Sequence, residues 1–159
     1  MILEMRNSMN NNIIFYLTFK KDLVFFYENL PLREALELMY KHGYTAIPVI
    51  GLDGTYVGTV SEGDFLWFIL QKGADAKTLE SYTVTDLIRD DFMPPVNISV
   101  SIDDILETAL HQNFVPVVDD RSIFIGIITR QTLLRALGSS SLQPSLAAMP
   151  NSENASTRI

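Results

Sequence analysis

The chain has 159 residues, 47% of them hydrophobic, which is enough for one good core or for two small cores packed together. Its 12 basic and 19 acidic residues give a formal net charge of -7, and the largest basic cluster is the pair Lys20-Lys21, so direct binding of DNA or RNA is not expected. The sequence has no cysteine, which excludes disulfides, thiol nucleophiles and thiolate metal sites.

The apolar stretches are too short to cross a membrane. IIFYL at 13–17, VFFY at 24–27 and FLWFIL at 65–70 fall well short of the roughly 18 residues that a membrane helix needs. Residues 1–12 carry Glu4 and a run of asparagines instead of the features of a secretory signal. We therefore expect a flexible leader at 1–12 and a cytoplasmic protein.

The first half of the chain reads as strand, helix, strand, turn, strand, helix. DLVFFYE at 22–28 predicts a strand, and LREALELMYKHG at 32–43 has its apolar residues at helical spacing. AIPVI at 46–50 and TYVGTV at 55–60 predict two strands joined by a turn in which Gly54 takes a positive φ. FLWFIL then predicts the last helix of this half.

The second half follows the same order after a connection. The connecting stretch that begins at Gly73 reads as a polar linker followed by one more helix. PVNISVS at 95–101 predicts a strand and IDDILETALHQN at 102–113 predicts an amphipathic helix. From Ser139 onward the sequence is rich in Ser, Asn and Pro without periodicity, which predicts a disordered tail.

The two halves are an internal repeat. AIPVIGLDGTYVGTVSEGDF aligns without a gap with FVPVVDDRSIFIGIITRQTL. At an offset of 68 positions the alignment pairs Pro48 with Pro116, Gly58 with Gly126, Ser61 with Thr129 and Asp64 with Thr132. Because a unit of this size buries little of its surface, the two copies are expected to pack on each other.

The duplicated unit, with Gly-h-h-Ser/Thr-x-x-Asp opening its last helix and h-Pro-Val-h on the strand before it, resembles a tandem pair of CBS (cystathionine-β-synthase) domains, the Bateman module. The resemblance covers about residues 13–138. It implies an α/β (α+β) fold in which two pseudo-twofold-related β-α-β-β-α repeats pack as one module. We assign a leader at 1–12, a first domain at 13–72, a linker at 73–82, a second domain at 83–138 and a tail at 139–159.

The resemblance also implies a function. Such modules are generally regulatory, bind adenosine-containing nucleotides in clefts between the two copies and often dimerise into a flat disc. We therefore expect a stand-alone nucleotide sensor without enzymatic activity that acts on an unidentified partner protein. Its ligand is AMP, ADP, ATP or cyclic di-AMP, and GYTAIPV together with GIITR is similar to small bacterial CBS proteins that bind cyclic di-AMP.

Ser61 and Asp64 support two interpretations. A Ser-x-x-Asp pattern before an apolar run is close to a capping box, in which each side chain bonds the main chain of the other residue. The resemblance instead implies that the Asp64 carboxylate accepts hydrogen bonds from both hydroxyls of a ribose and that Ser61 assists. A side chain of Asp64 turned back on its own main chain, beside a closed crevice, would favour the first interpretation.

The resemblance assigns further residues to the nucleotide site. Tyr44 and Thr45 offer a ring and hydroxyls at the start of the strand, and Arg130 is expected to reach a phosphate across the pseudo-twofold axis. The full set of predicted nucleotide-binding residues is Lys21, Asp22, Leu23, Tyr44, Thr45, Ala46, Pro48, Ser61, Asp64, Thr129 and Arg130. Each of them also has a structural interpretation as a turn, core or surface residue.

The second copy departs from the pattern. Thr132 stands where the first copy has Asp64, and it has no carboxylate for a diol. In the same register the bulky Phe114 replaces Ala46, although alignment on the helices would match Phe114 with Tyr44 instead. We expect one intact site, in the first copy.

The sequence predicts no metal site and no catalytic residues. His42 and His111 are the two histidines, and neither lies in a metal-ligand spacing. Neighbouring carboxylates such as Asp90-Asp91 are explained by caps and turns, and no Ser-His-Asp order or phosphate loop occurs. No cofactor beyond the nucleotide ligand is expected.

FLWFIL at 65–70 predicts a helix that is apolar on all sides. One core cannot cover such a helix, so we predict a homodimer with Trp67 or Phe68 at the contact. The alternative is that the neighbouring copy covers the whole helix. A second function also stays open, a ligand-free structural or dimerisation module in which Ser61 and Asp64 are only a cap.

Overall fold

The computed structural model describes residues 11–141, with side chains to residue 138. The strands are β1 (Thr18–Phe19), β2 (Phe26–Tyr27), β3 (Ala46–Ile50), β4 (Tyr56–Ser61), β5 (Val96–Asn97), β6 (Phe114–Val118) and β7 (Phe124–Thr129). The helices are α1 (Leu32–His42), α2 (Glu62–Lys72), α3 (Ala76–Ser81), α4 (Ile102–Ala109) and α5 (Arg130–Ser141), with short 3-10 helices at Ile13–Tyr16, Lys20–Asp22 and Val84–Leu87. The fold is α/β, as predicted.

Each half of the chain builds one sheet around its central hairpin. In the first half β2 pairs parallel with β3, and β3 pairs antiparallel with β4. In the second half β5 pairs parallel with β6, and β6 pairs antiparallel with β7. The repeat predicted from the sequence is therefore a structural repeat with the same strand directions.

The second sheet gains a strand from the start of the chain. β1 pairs antiparallel with β7, with Thr18 opposite Ile127 and Phe19 opposite Gly126, so the strand order is β1-β7-β6-β5. Gly126 is needed here, because a Cβ at that position would overlap the carbonyl oxygen of Thr18. A glycine in this strand thus permits close backbone approach.

The segments that precede β2 and β5, which we call the lead-in segments, are exchanged between the repeats, so that each packs on the other repeat. Ile13 lies in the buried cluster of the second repeat, among residues such as Ile105 and Val115. Val84 and Leu87 lie in the buried cluster of the first repeat. The predicted domain limits at 72 and 83 remain predictions. The packing does not follow them, because each repeat has a segment that packs in the core of the other.

The hairpin turns of the two sheets are joined to each other. The amide of Tyr56 donates to the carbonyl of Ser122, and the amide of Phe124 donates to the carbonyl of Gly54, both at 3.0 Å. Gly54 has the predicted positive φ, at 89°. A third buried cluster, Ile50, Met93, Phe114, Phe124 and Ile127, then fills the space between the repeats. Because its members come from both halves, this cluster makes the two repeats one packed unit.

The predicted helices and strands differ from the structure mainly in the outer strands. AIPVI forms β3 with the predicted bounds, and Gly43 ends α1 with φ 67°. The predicted strands at 22–28 and 95–101 shrink to β2 and β5, two residues each.

Within the described residues, no helix is both long enough and apolar enough to span a membrane. The predicted tail was wrong at its start, because residues 139–141 belong to α5, and its remainder, like residues 1–10 of the predicted leader, lies outside the described residues.

Helix α2 corrects one part of the dimer prediction. Phe68 is buried in the cluster of the first repeat and contacts Tyr82 edge to face, with the ring centroids 5.0 Å apart. Its place at a dimer contact is therefore wrong, because the core of its own chain covers it. Leu66, Trp67 and Leu70 are exposed.

Candidate functional site between the two repeats

A cleft of about 310 Å³ lies between the two repeats. The first repeat supplies the end of the loop between α1 and β3 and the junction of β4 with α2. The second repeat supplies the loop before β5 and the turn after α4. Its lining residues, which define the inter-repeat cleft, are Thr45, Ala46, Ser61, Glu62, Gly63, Phe92, Met93, His111, Gln112 and Asn113. The volume is at the lower end for small-molecule sites and has room for one nucleoside.

Asp64 lies beside this cleft and caps its own helix. Its Oδ2 accepts hydrogen bonds from the Ser61 amide and from the Ser61 hydroxyl, both at 2.7 Å. The capping box of α2 is therefore formed, as the first interpretation of the sequence predicted. The crevice beside it is not closed, since the Ser61 side of the cleft remains open space.

Arg89 holds the other side of the Asp64 carboxylate. Its Nε lies 2.7 Å from Oδ1, and a second guanidinium nitrogen donates to Oδ2 at 3.4 Å. The Asp64 side chain is 5% exposed and the Arg89 side chain 51% exposed. A buried carboxylate is thus neutralised by a cation whose outer face reaches solvent.

Phe92 fixes the position of that cation. The Arg89 guanidinium lies over the Phe92 ring, 3.6 Å from its centroid, which is the geometry of a cation–π contact. Phe92 also lines the cleft, so one ring forms the cleft wall and the support of Arg89. The loop that carries them has Asp91 and Met93 at φ 59° and 53°, in the left-handed region that non-glycine residues rarely adopt.

Tyr56 ties this loop to the first sheet. Its hydroxyl donates to the Met93 carbonyl at 2.8 Å and also bonds the Thr59 hydroxyl at 2.8 Å. Burial raises the pKa of Tyr56 to about 12, and the hydrogen bond with Thr59 opposes that rise only in part. The phenol therefore stays neutral and keeps its proton for Met93.

A second, more acidic space adjoins the cleft. This acidic lobe, about 530 Å³, shares Phe92, Met93, His111 and Gln112 with the cleft. Its remaining lining residues are Asp91, Pro94, Asp104, Glu107 and Thr108. Among the described residues, neither lining includes a Lys or Arg, so a phosphate group there would meet several carboxylates.

The structure brings some of the predicted site residues together. Thr45, Ala46 and Ser61 line the cleft, with Asp64 directly behind Ser61. Tyr44 is outside the lining and stacks on His42, with ring centroids 5.8 Å apart. Pro48 is buried within β3 opposite Thr59 and does not line the cleft either.

Lys21, Asp22 and Leu23 are not where they were predicted. The 3-10 helix Lys20–Asp22 follows β1 and packs against β7, in the second repeat, and Leu23 packs on the cluster between the repeats. Their predicted position beside Asp64 is wrong, because the lead-in segments of the two repeats are exchanged. The loop with Arg89 takes that position instead.

Thr129 and Arg130 belong to the second repeat alone. The Thr129 hydroxyl accepts from the Thr132 amide at 3.1 Å and so caps α5. Arg130 donates from Nε to the Ala109 carbonyl at 2.7 Å, at the end of α4. The prediction that Arg130 reaches across to the first site is wrong, since the last carbonyls of α4 hold its guanidinium.

The register of the second repeat is now fixed. Phe114 begins β6 opposite Thr129, as Ala46 begins β3 opposite Ser61. Phe114 therefore corresponds to Ala46 and not to Tyr44. It is buried in the cluster between the repeats, where the first repeat leaves room for the cleft.

The sequence analysis missed the residues from the second repeat. Phe92 and Met93 form one wall, with Arg89 stacked on Phe92, and the residues after α4, from His111 to Asn113, form another. No pattern in the sequence pointed to them. The structure shows the correspondence, since β2 places Phe26 opposite Val49 and β5 places Val96 opposite Val117, so the segments before these strands correspond at an offset of 70. The counterpart of 20–23 is therefore 90–93, which follows Arg89, the partner of Asp64.

Comparison with known proteins agrees with this architecture. The family model described as CBS domain matches residues 18–71 and again residues 84–139. An uncharacterized protein of Methanocaldococcus jannaschii is 25% identical, and the alignment covers 82% of this chain and 95% of that protein. Similarity thus extends over nearly the whole of that relative.

Two solved structures resemble the fold and contain ligands. CbpB of Listeria monocytogenes in complex with c-di-AMP is 26% identical with a TM-score of 0.73, covering 81% of this chain and 96% of that chain. CBSX2 in complex with AMP is 28% identical with a TM-score of 0.68, covering 83% of this chain and 99% of that chain. Because the two matched regions span more than half of the sequence and coincide with the two structural repeats, this chain belongs to the CBS domain family and carries two copies of the domain.

Proposed function

We propose that this chain is a cytoplasmic, non-catalytic regulator that binds an adenine nucleotide in the inter-repeat cleft and modulates a partner protein. The single observation that carries the proposal is the cleft itself, whose mixed lining sets the apolar side chains of Ala46, Phe92 and Met93 beside polar groups that include the hydroxyls of Thr45 and Ser61. Ala46 and Met93 offer apolar contact to a base, and Phe92 offers an aromatic face. The relatives that were solved with c-di-AMP and with AMP support the same ligand class.

The charges around the cleft favour a ligand with few phosphates. Glu62 lines the cleft, and Asp91, Asp104 and Glu107 line the acidic lobe. Each additional phosphate brings negative charge towards these carboxylates, at a cost that rises with charge. We therefore expect AMP to bind more tightly than ADP, and ADP more tightly than ATP. Cyclic di-AMP carries two phosphates and would have to extend from the cleft into the acidic lobe, so we expect it too to bind less tightly than AMP.

Regulation would follow from a difference in affinity between two shapes of the module. The cleft walls come from both repeats, so a ligand that fills the cleft contacts both. A ligand shifts an equilibrium only by its differential affinity for the two states, and a partner that binds one state responds to that shift. The nucleotide thereby becomes the signal and the partner the output.

Filling the cleft tests the binding site. Ala46→Phe places in the first repeat the side chain that the second repeat already carries at Phe114, so the strand should accept it. We expect this variant to lose AMP binding by roughly 100-fold or more, measured by isothermal titration calorimetry. Ala76→Phe, at the exposed start of α3, is the matched control and should bind AMP as the unmodified protein does. Equal AMP affinity in Ala46→Phe would contradict the proposed site.

A second function is favoured by one specific observation. Asp64 already caps α2 and pairs with Arg89, so it is satisfied without a ligand. A ligand-free structural module would need nothing more from it. A thermal-shift screen separates the two functions, because a ligand at 100 times its dissociation constant adds about 2.7 kcal/mol of stability. No shift with AMP, ADP, ATP or cyclic di-AMP would favour the structural module.

A further inference from the structure

We infer that Arg89 makes the cleft selective for phosphorylated nucleosides by occupying Asp64 until a phosphate draws its guanidinium away. The inference rests on the proposed nucleotide function and adds a specificity-determining residue to it. It starts from the state of Asp64, which is buried and bonded by Ser61 and Arg89 at once.

The carboxylate has too few free acceptor positions for a ribose. Oδ2 already accepts two hydrogen bonds from Ser61 and lies within reach of a guanidinium nitrogen, and Oδ1 accepts from Arg89 Nε. Each carboxylate oxygen offers about two lone-pair positions. A diol that brings two donors therefore has to displace Arg89, since the Ser61 contacts belong to the helix cap.

Displacing Arg89 has different consequences for adenosine and for AMP. Adenosine offers the guanidinium nothing in exchange, so breaking the ion pair opposes its binding. AMP offers a phosphate, which accepts bidentate hydrogen bonds from a guanidinium as a carboxylate does. Among the described residues that line the cleft and the acidic lobe there is no Lys or Arg, and Arg89, which rests on the lining residue Phe92, is therefore the candidate for this role.

The position of Arg89 permits the exchange. Its guanidinium rests on Phe92, a residue of the cleft wall, at 3.6 Å from the ring centroid, and half of its side chain is exposed to solvent. It can therefore keep the aromatic contact while its hydrogen bonds turn from Asp64 to a phosphate at the mouth of the cleft. The ring acts as a platform for both arrangements.

The measurement is the ratio of the dissociation constants for adenosine and AMP, obtained by titration calorimetry on the full chain. In Arg89→Gln the ratio should fall about tenfold or more, because adenosine gains a free carboxylate and AMP loses a cation. The gain should require the diol, so 2′-deoxyadenosine should not share it. Arg33→Gln removes the same charge from a surface ion pair with Glu37 and Glu80 and should leave the ratio unchanged.

Each outcome decides a separate point. An unchanged ratio in Arg89→Gln, while AMP binding is still lost in Ala46→Phe, overturns the role of Arg89 and leaves the proposed function standing. Absence of adenosine and AMP binding in both the unmodified protein and Arg89→Gln overturns both proposals. If Arg89→Gln does not fold, as judged by circular dichroism, Arg89→Lys replaces it. A lysine keeps the charge but loses the bidentate geometry, so a ratio equal to that of the unmodified protein would overturn the inference.

Discussion

Tyr56 is a single side chain on which the wall of the cleft depends. Its hydroxyl is the contact between the first sheet and the Met93 carbonyl, in a loop with two residues at positive φ. Without that hydrogen bond the loop has less to offset its strained backbone. The residue that organises the cleft is thus outside its lining.

Replacing Tyr56 with phenylalanine should destabilise the fold. The change leaves the Met93 carbonyl and the Thr59 hydroxyl without their partner, which costs about 1 to 3 kcal/mol of unfolding free energy. Urea denaturation at pH 7 measures this cost. Tyr40→Phe, at a residue that is 90% exposed, is the control and should change the unfolding free energy by less than about 0.5 kcal/mol. Equal stability of the Tyr56 and Tyr40 variants would contradict the anchor.

The same residue predicts a dependence on alkaline pH. The unfolded phenol ionises near its ordinary pKa of 10.0, whereas the pKa of the buried phenol is raised to about 12. Above pH 10 the unfolded chain therefore releases a proton that the folded chain keeps, and stability falls as the pH rises. Between pH 9 and 11 the difference in unfolding free energy between the unmodified protein and Tyr56→Phe should shrink by about 1 kcal/mol. Denaturation curves of both proteins at these two pH values measure the loss, and a constant difference would refute it.

At this scale the sequence predicted what is local and missed what is distant. Ser61 and Asp64 lie three positions apart, so their capping box can be read from spacing alone. Arg89 is 25 positions beyond Asp64 and its pairing depends on how the repeats pack. Nothing in the pattern around Arg89 distinguishes it from a solvated surface charge.

Among the secondary structure elements, β4 and β7 each carry a glycine that lets another segment approach. A Cβ on Gly126 would overlap the Thr18 main chain, and a Cβ on Gly58 would lie 2.9 Å from Ile88 side-chain atoms. Thr18 and Ile88 belong to the lead-in segments that the repeats exchange. The paired glycines of the repeat therefore mark the two places where the exchange occurs.

Alanine substitutions at these glycines should differ in cost. Gly126→Ala forces β1 away from β7 and should destabilise the protein by about 3 kcal/mol, the upper range for overpacking. Gly58→Ala should cost about 1 kcal/mol, because the Ile88 side chain can shift. Gly138→Ala meets open space on helix α5 and should be neutral or stabilising by up to about 1 kcal/mol. Guanidinium denaturation ranks the three, and a cost for Gly138→Ala equal to that for Gly126→Ala would contradict this order.

The central strands were predictable, the outer strands β2 and β5 were predicted in place but too long, and β1 was not predicted at all. AIPVI is bounded by Gly43, which ends α1, and by the turn at Gly54, so local signals fix β3 on both sides. β1 has two residues and forms only because β7 lies beside it. A strand of two residues shows no periodicity, and its partner lies more than 100 positions away, so the sequence carries no local sign of it.

At the scale of the whole molecule, α2 leaves an apolar surface uncovered. Leu66, Trp67 and Leu70 are exposed on this helix, and Trp67 is 60% exposed although it is the one tryptophan of the chain. Exposed apolar groups of this kind commonly mark interfaces. This surface supports the predicted homodimer, in which α2 would contact a second copy of the chain.

Sedimentation tests the dimer. We expect a particle of twice the 17.9 kDa chain mass at micromolar concentration, and Trp67→Glu should reduce it to the single chain. Leu52→Glu is the control, since Leu52 is exposed to a similar extent but lies in the turn after β3. A single-chain particle for the unmodified protein would exclude a dimer at that concentration.

The arrangement of the two halves was predicted only in outline. The matched positions, such as Gly58 and Gly126, indicated two copies that pack together, and the structure has them. Which copy receives each lead-in segment depends on contacts between halves, and the residues of one half carry no signal for it. The same gap explains why Lys21 was assigned to the wrong side of the molecule.

Because β1 precedes the first repeat's sheet in the chain but completes the sheet of the second repeat, neither repeat can be transferred to another protein by itself. A second repeat grafted alone into another protein would arrive with the free edge of β7 unpaired, and open sheet edges invite aggregation. The graft would need residues 13–19 supplied beside it, either as a fused strand or as a separate peptide. Evolution by shuffling is therefore expected to move this pair as a unit.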